Sequence, residues 1–175
     1  MRYSLIREMD ISNGCGVGIS LFVQGCHFHC QGCFNQETWD FNGGHEWTKE
    51  VEDRFVELAN RPYIQRITIL GGEPLADENV NDVLYLIARL KCVYPDKKVW
   101  LYTGYTWEDI VEKKYSNSNA RLCASILSDV IVDGQFQFDK QDINHKQVLW
   151  AGSTNQRVID ARKSFVSNSI VLYEG

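Results

Sequence analysis

Four short apolar runs, each broken by glycine at its end, set the frame of this 175-residue chain. Ile19-Ser20-Leu21-Phe22-Val23-Gln24 stops at Gly25, Arg66-Ile67-Thr68-Ile69-Leu70 at Gly71, Lys98-Val99-Trp100-Leu101-Tyr102 at Thr103-Gly104, and Asp129-Val130-Ile131-Val132 at Asp133-Gly134. Helix-period segments separate them. Thr48 is placed to cap a helix with Val51, Phe55 and Leu58 on one face, ending near Pro62; Val80, Leu84, Ile87 and Leu90 mark a second between Glu78 and Val93. Thr106 with Asp109 three positions on resembles a capping box, and Ala120 to Leu127 reads as a further helix. Such alternation implies βα units around a parallel sheet. The fold expected is α/β, with no linker or low-complexity stretch to divide residues 1–175 into more than one domain. A closed eight-unit barrel takes about 250 residues, so an incomplete barrel follows: an open, mostly parallel sheet with all the glycine loops on one edge. The last third is less regular. Gln147-Val148-Leu149-Trp150 and Ile170-Val171-Leu172-Tyr173 read as short strands with the polar loop Gly152 to Gln156 after the first, and the tail from about Lys163 is expected to be mobile or to dock at the surface.

The first glycine loop carries Cys26, Cys30 and Cys33, three thiols within eight residues. Thiolate is a soft ligand that favours zinc or iron–sulfur centres over magnesium or calcium. A four-iron, four-sulfur cluster normally takes four protein thiolates, and no fourth cysteine lies nearby on the C-terminal side. With three, one iron keeps an open position that suits a catalyst and is of no use to an electron carrier. The alternatives are a structural zinc site with His27 or His29 as fourth ligand, and a disulfide with one spare thiol; both histidines read more simply as polar loop residues. Cys92 and Cys123 read as small buried hydrophobes, and Cys15 is open because its loop leads toward the cluster. That loop, Asn13-Gly14-Cys15-Gly16-Val17-Gly18, precedes a strand where a dinucleotide fingerprint must follow one, so that function is set aside.

A net charge of −5 and a pI near 5.4, with no basic stripe, argue against nucleic-acid binding. Charges within Met1 to Asp10 interrupt any signal-peptide core, and no stretch approaches a membrane span. A soluble cytoplasmic protein is expected, in a compartment where clustered cysteines are more often metal ligands than disulfides.

Cys26, Cys30 and Cys33 in the spacing C-x3-C-x2-C, followed on the next strand's loop by Gly71-Gly72-Glu73-Pro74, resemble the radical S-adenosylmethionine superfamily. Phe22 to Cys26, Gly32 to Asn35, Glu37 to Trp39, Trp100 to Tyr105, Val132 to Gly134 and Gly152 to Gln156 narrow the resemblance to the anaerobic ribonucleotide reductase-activating proteins, over about Asp10 to Asp160. The resemblance implies a 4Fe-4S cluster on the three thiolates, S-adenosyl-L-methionine chelated at the open iron, and a radical that takes a hydrogen from a glycine of the large reductase subunit. It implies flavodoxin or ferredoxin as electron donor. Glu73 would accept from the cofactor's ammonium, Gly71 and Gly72 would let backbone approach its methionine part, and the backbone at Gly32 and Phe34 would border adenine. Thr103 and Asp133, on loops at the same edge, could reach the ribose or the partner's glycine loop, or act simply as turn residues.

Three positions depart from the pattern. Cys15 stands where the family commonly has proline, and Gly18 and Ala151 stand where it commonly has arginine, so two cations are missing from the edge that holds the cofactor and partner. Two other functions compete: the same chemistry on another glycyl-radical enzyme or a small molecule, and a zinc-stabilised binding module.

Overall fold

The computed structural model describes residues 1–142 and 148–175. Seven strands form one mixed sheet in the order β3-β1-β2-β4-β5-β6-β7. The strands are β1 (Arg2–Asp10), β2 (Gly18–Val23), β3 (His45–Glu46), β4 (Arg66–Gly71), β5 (Lys98–Tyr102), β6 (Val130–Asp133) and β7 (Arg157–Asp160). The helices are α1 (Lys49–Ala59), α2 (Val80–Val93), α3 (Trp107–Val111), α4 (Ser118–Leu127) and α5 (Ala161–Ser167). The four glycine-terminated runs are β2, β4, β5 and β6, mutually parallel and adjacent. Antiparallel β1 and β7 flank them.

Both faces of the parallel strands are covered, which explains their unbroken apolar character. Ile19, Leu21, Val23, Ile67, Ile69, Val99, Leu101 and Ile131 point to the helix side, where they join Phe55, Leu86, Ile87 and Leu90 in the larger core. The alternate positions carry a smaller cluster of Trp100, Val130, Val132, Ala151 and Val158, with Tyr102, Trp150 and Tyr173 against it. Caps behave as the residue types suggest: Thr48 Oγ1 accepts from Val51 N (3.4 Å) and Thr106 Oγ1 from Asp109 N (3.3 Å).

Several elements correct the sequence reading. Arg2–Asp10 is a strand, disguised by the charges that an incompletely covered outer strand tolerates on its open side. The glycine-rich loop therefore does follow a strand; what excludes a dinucleotide fingerprint is that it leads into β2 and not into a helix. Val148 to Trp150 is a turn, with Gln147 outside the described residues, and Trp150 has a left-handed φ of 63° that an extended strand would not allow. Residues 170 to 173 pair with β7 through only one bridge, Leu172 to Ile159. β7 and α5 were not expected. Cys92 and Cys123 are exposed: each sits two residues past a buried position, Leu90 on α2 and Arg121 on α4, which turns it about 200° away from the core.

Gly18 explains one departure from the family pattern. A Cβ there would lie 2.7 Å from Arg66 Cζ, because the fully buried Arg66 of β4 lays its guanidinium across the start of β2. That guanidinium donates to Asn13 O (2.7 Å) and Asp10 O (2.8 Å), which ties the lead-in loop down beneath the site.

Candidate functional site

At the C-terminal ends of β2, β4, β5 and β6, on the face of the smaller cluster, lies a cavity of about 560 Å³. Its volume falls within the usual small-molecule range of roughly 300–1,000 Å³. Cys26, Cys30, Cys33, Phe34, Gly71, Gly72, Glu73 and Thr103 all line it. Two of the expected residues lie elsewhere. The Cα of Gly32 faces the Phe138 ring. Asp133, 1% exposed, accepts from Trp107 N (2.7 Å) and from Arg157 Nε (3.0 Å), and so braces β6 against α3 and β7.

Backbone hydrogen bonds hold the two key loops together. Gly25 N donates to Thr38 O (2.7 Å) and Cys26 N to Trp39 O (3.0 Å), fixing the start of the cysteine loop. Gly72 N then donates to Val23 O (2.9 Å) and Glu73 N to Gly25 O (2.7 Å). Gly72 permits this approach, since a Cβ there would collide with the Gly25 carbonyl oxygen, and Gly71 takes a φ of 109° that favours glycine. Two buried amides that the sequence reading passed over complete the joint. Gln24 Nε2 donates to Glu37 O (3.0 Å) and Asp40 O (2.8 Å), and Asn79 Nδ2 bridges Gln24 O (2.9 Å) and Glu73 O (3.1 Å). Only three-dimensional proximity singles them out. Buried Arg121, also passed over, donates from Nε to Leu75 O (2.7 Å) just beyond the Glu73 turn.

Glu73 is 2% exposed. Its Oε1 accepts from Leu75 N (2.8 Å) and Thr103 Oγ1 (2.8 Å), its Oε2 from Gly104 N (2.7 Å). Burial pushes its carboxyl up to about 7 against the pull of those three donors. A carboxylate has about four acceptor sites, so one remains for a ligand. Burial also pushes the Cys26 thiol up to about 11, opposed by the amides of Phe28 and His29, and raises Cys30, where the Cys33 charge adds to the effect. Asn35 N donates to Cys33 Sγ (3.4 Å).

The donor set fits a cluster better than a lone ion. Among the described residues, no three cysteine, histidine, aspartate or glutamate side chains converge closely enough to hold one metal ion, as a zinc with ligand sulfurs about 2.3 Å away would require. A cluster spreads its metal atoms and takes thiols at wider separation. Both histidines are engaged elsewhere: His27 with Glu78 (3.0 Å) and the Phe41 ring, His29 stacked on Trp39 at 4.7 Å. Among the described residues Arg7 is the sole lysine or arginine lining the cavity; Ala151, on the same wall, carries no charge.

Comparison with known proteins agrees with this geometry. The family described as a 4Fe-4S single cluster domain matches residues 12–159. The anaerobic ribonucleoside-triphosphate reductase-activating protein of Salmonella typhi is 38% identical over 160 residues, which is 90% of this chain and 97% of the relative. The protein of that name from Escherichia coli (strain K12) is 37% identical with the same coverage. The one from Enterobacteria phage T4 is 34% identical over 158 residues, 90% of this chain and 93% of its own. No helix among the described residues is long and apolar enough to cross a membrane. With three thiols, a buried acid and two close-packed glycines around one cavity, and with these relatives matched along nearly their whole length, the chain belongs to the 4Fe-4S single cluster domain family and, within it, to the anaerobic ribonucleoside-triphosphate reductase-activating proteins.

Proposed function

We propose that this protein is a radical S-adenosylmethionine activase for an anaerobic ribonucleotide reductase, with Cys26, Cys30 and Cys33 as the ligands of its cluster and S-adenosylmethionine as its cosubstrate. The observation that carries the proposal is the meeting of the three thiols with Glu73, Gly71 and Gly72 in one cavity. When bound, the reduced cluster supplies one electron to the sulfonium, giving methionine and a 5′-deoxyadenosyl radical that takes a hydrogen atom from a glycine of the large reductase subunit and leaves a glycyl radical there.

The chain's own residues do the positioning. Glu73 offers its remaining acceptor site to the cofactor's ammonium, a charge-assisted bond that draws the carboxyl back to its ionised form. Thr103 and Gly104 aim that carboxylate, so Thr103 acts through Glu73 and not by direct contact with ribose. Gly71 and Gly72 keep the wall low enough for the methionine part, and Phe34 at the rim borders the adenine. Cys26 and Cys30 release their protons as they take up metal. The open sheet, read as an incomplete barrel, leaves the cavity reachable from the side by a protein loop. A flavodoxin or ferredoxin supplies the electron.

The test is anaerobic reconstitution. The protein should take up about four irons with matching sulfide, cleave S-adenosylmethionine to 5′-deoxyadenosine when reduced, and raise a glycyl-radical spin-resonance signal on the large subunit of an anaerobic ribonucleotide reductase. One zinc without sulfide would overturn the proposal. Cleavage with a signal on a different glycyl-radical enzyme would move the target and keep the chemistry.

A further inference from the structure

Apart from the two-residue β3, β1 is the least covered strand of the sheet, and its exposed residues have an unusual composition. Leu5 (45% exposed), Met9 (69%) and, just past the strand, Ile11 (75%) lie open to solvent, with exposed Arg7 among them. Leu5 and Arg7, two apart, share the cavity side of the strand, and the residues that alternate with them are occupied: Ile6 packs on the larger core and Glu8 pairs with Arg54 (3.2 Å) and Arg61 (2.8 Å). The register with β2 shifts between Arg7 and Asp10, so Met9 and Ile11 stand exposed beyond that irregularity. Leu5 and Arg7 stand beside Phe22 and Ser20 in register, and the Arg7 guanidinium lies 4.9 Å from the Phe22 ring, on the cavity wall. Arg7 makes no ion pair or side-chain hydrogen bond among the described residues. The strand's outer backbone edge is free as well. β3 pairs only with Arg2 and Tyr3, and no described strand lies beside β1 on that side from Ser4 to Met9.

An open strand edge flanked by apolar side chains and one unpaired cation is suited to an extended peptide, which takes affinity from main-chain hydrogen bonds and specificity from alternate side chains. We propose that this edge and face of β1, centred on Leu5, Arg7 and Met9, dock an extended segment of the glycyl-radical partner, with a carboxylate of that segment on Arg7. The assignment rests on the activase function above and names where its protein substrate is held. Arg7 connects the strip to the cavity, so a segment lying along β1 runs directly to the site of hydrogen abstraction. A second copy of this chain fits less well. A two-fold self-contact sets the same face against itself, and Leu5, Met9 and Ile11 offer no acid to meet Arg7.

The test uses the reconstituted protein and the intact large reductase subunit, with affinity measured by calorimetry and no turnover required. Met9→Asp should raise the dissociation constant about tenfold or more, and Arg7→Glu about a hundredfold. Leu5→Ser is a milder variant that should weaken binding several-fold without adding charge. Met9→Asp should keep wild-type iron content and wild-type 5′-deoxyadenosine formation in the absence of the partner, while the glycyl-radical yield at limiting partner falls. Unchanged partner affinity in Met9→Asp and Arg7→Glu would overturn the proposal. So would an Arg7→Glu protein that loses S-adenosylmethionine affinity but binds the partner normally, or a Met9→Asp protein that breaks a homodimer and leaves partner affinity intact. If wild-type protein binds the partner but produces no 5′-deoxyadenosine, the activase function fails and the affinity series still decides the docking site.

Discussion

The loop carrying Glu73 and the loop carrying the three cysteines lie side by side at one edge of the sheet, yet they are held very differently. Around Glu73 the amides of Gly72, Glu73, Leu75, Ala76 and Gly104, the Thr103 hydroxyl and the Asn79 amide all have partners in or beside the turn. Between Cys26 and Cys33 the amides bonded to backbone carbonyls are those of Cys26 to Trp39 and Cys33 to Cys30, those of Phe28 and His29 face the Cys26 sulfur, and the loop rests on ring contacts of His27, Phe28 and His29. The Glu73 wall is thus fixed by a dense hydrogen-bond network, and the cysteine wall by fewer main-chain bonds and by ring packing.

The strongest way to break this contrast is Cys30→Ala. It should remove nearly all bound iron and all S-adenosylmethionine cleavage, while the melting temperature of the metal-free protein changes little, because the core under that loop does not depend on it. Iron assay and a thermal melt decide this, and a melt lowered by many degrees would show that the cysteine loop is structural after all. Gly72→Ala attacks the joint between the walls. Its methyl must push the Gly25 carbonyl away, so cofactor affinity should fall at least about a hundredfold, and stability by about 1–3 kcal/mol, read by dialysis and denaturant titration.

Glu73→Gln sharpens the comparison through pH. In the folded, metal-free protein the carboxyl sits at about 7, above its ordinary 4.5, so between those values the native state binds more protons than the unfolded chain. Stability should therefore fall as pH rises through that window and level off above it, by up to ~3 kcal/mol at 1.36 kcal/mol per unit. The Gln variant should lose that slope, and melts of both proteins at pH 5 and pH 8 give the difference. Thr103→Val has the smallest expected effect. Removing one of three donors should cost about 1 kcal/mol and weaken cofactor binding a few-fold, with iron content unchanged.

How much of this was legible beforehand depended on whether the physical signal was local. The cysteine spacing, Gly71-Gly72-Glu73, the Thr48 and Thr106 caps and the four parallel strands are each written in a few consecutive residues, and each stands where the sequence placed it. β1 and β7 were missed because a half-open flanking strand lacks the apolar run of a buried one, and β7 is only four residues long. For Asp133 the sequence leaves open a contact with the ribose or the partner and a simple turn role; its partners in the structure, Trp107 N and Arg157, are 26 and 24 positions away. Gln24 and Asn79 gave no signal in one dimension, since an amide becomes a joint only when two carbonyls arrive beside it.

The sequence by itself pointed to an iron–sulfur centre, because ligand type is a property of the residues: three thiols with no fourth close by on the C-terminal side, and one acid behind two glycines. Only the tertiary structure decided how that chemistry is framed. Burial of Glu73 among three donors, the guanidinium of Arg66 filling the space over Gly18, and the uncovered side of β1 with Arg7 all depend on strands distant in sequence meeting in register. Desolvation and steric exclusion act between whatever groups the fold brings together, so their outcome is set by the packed sheet and not by neighbours along the chain.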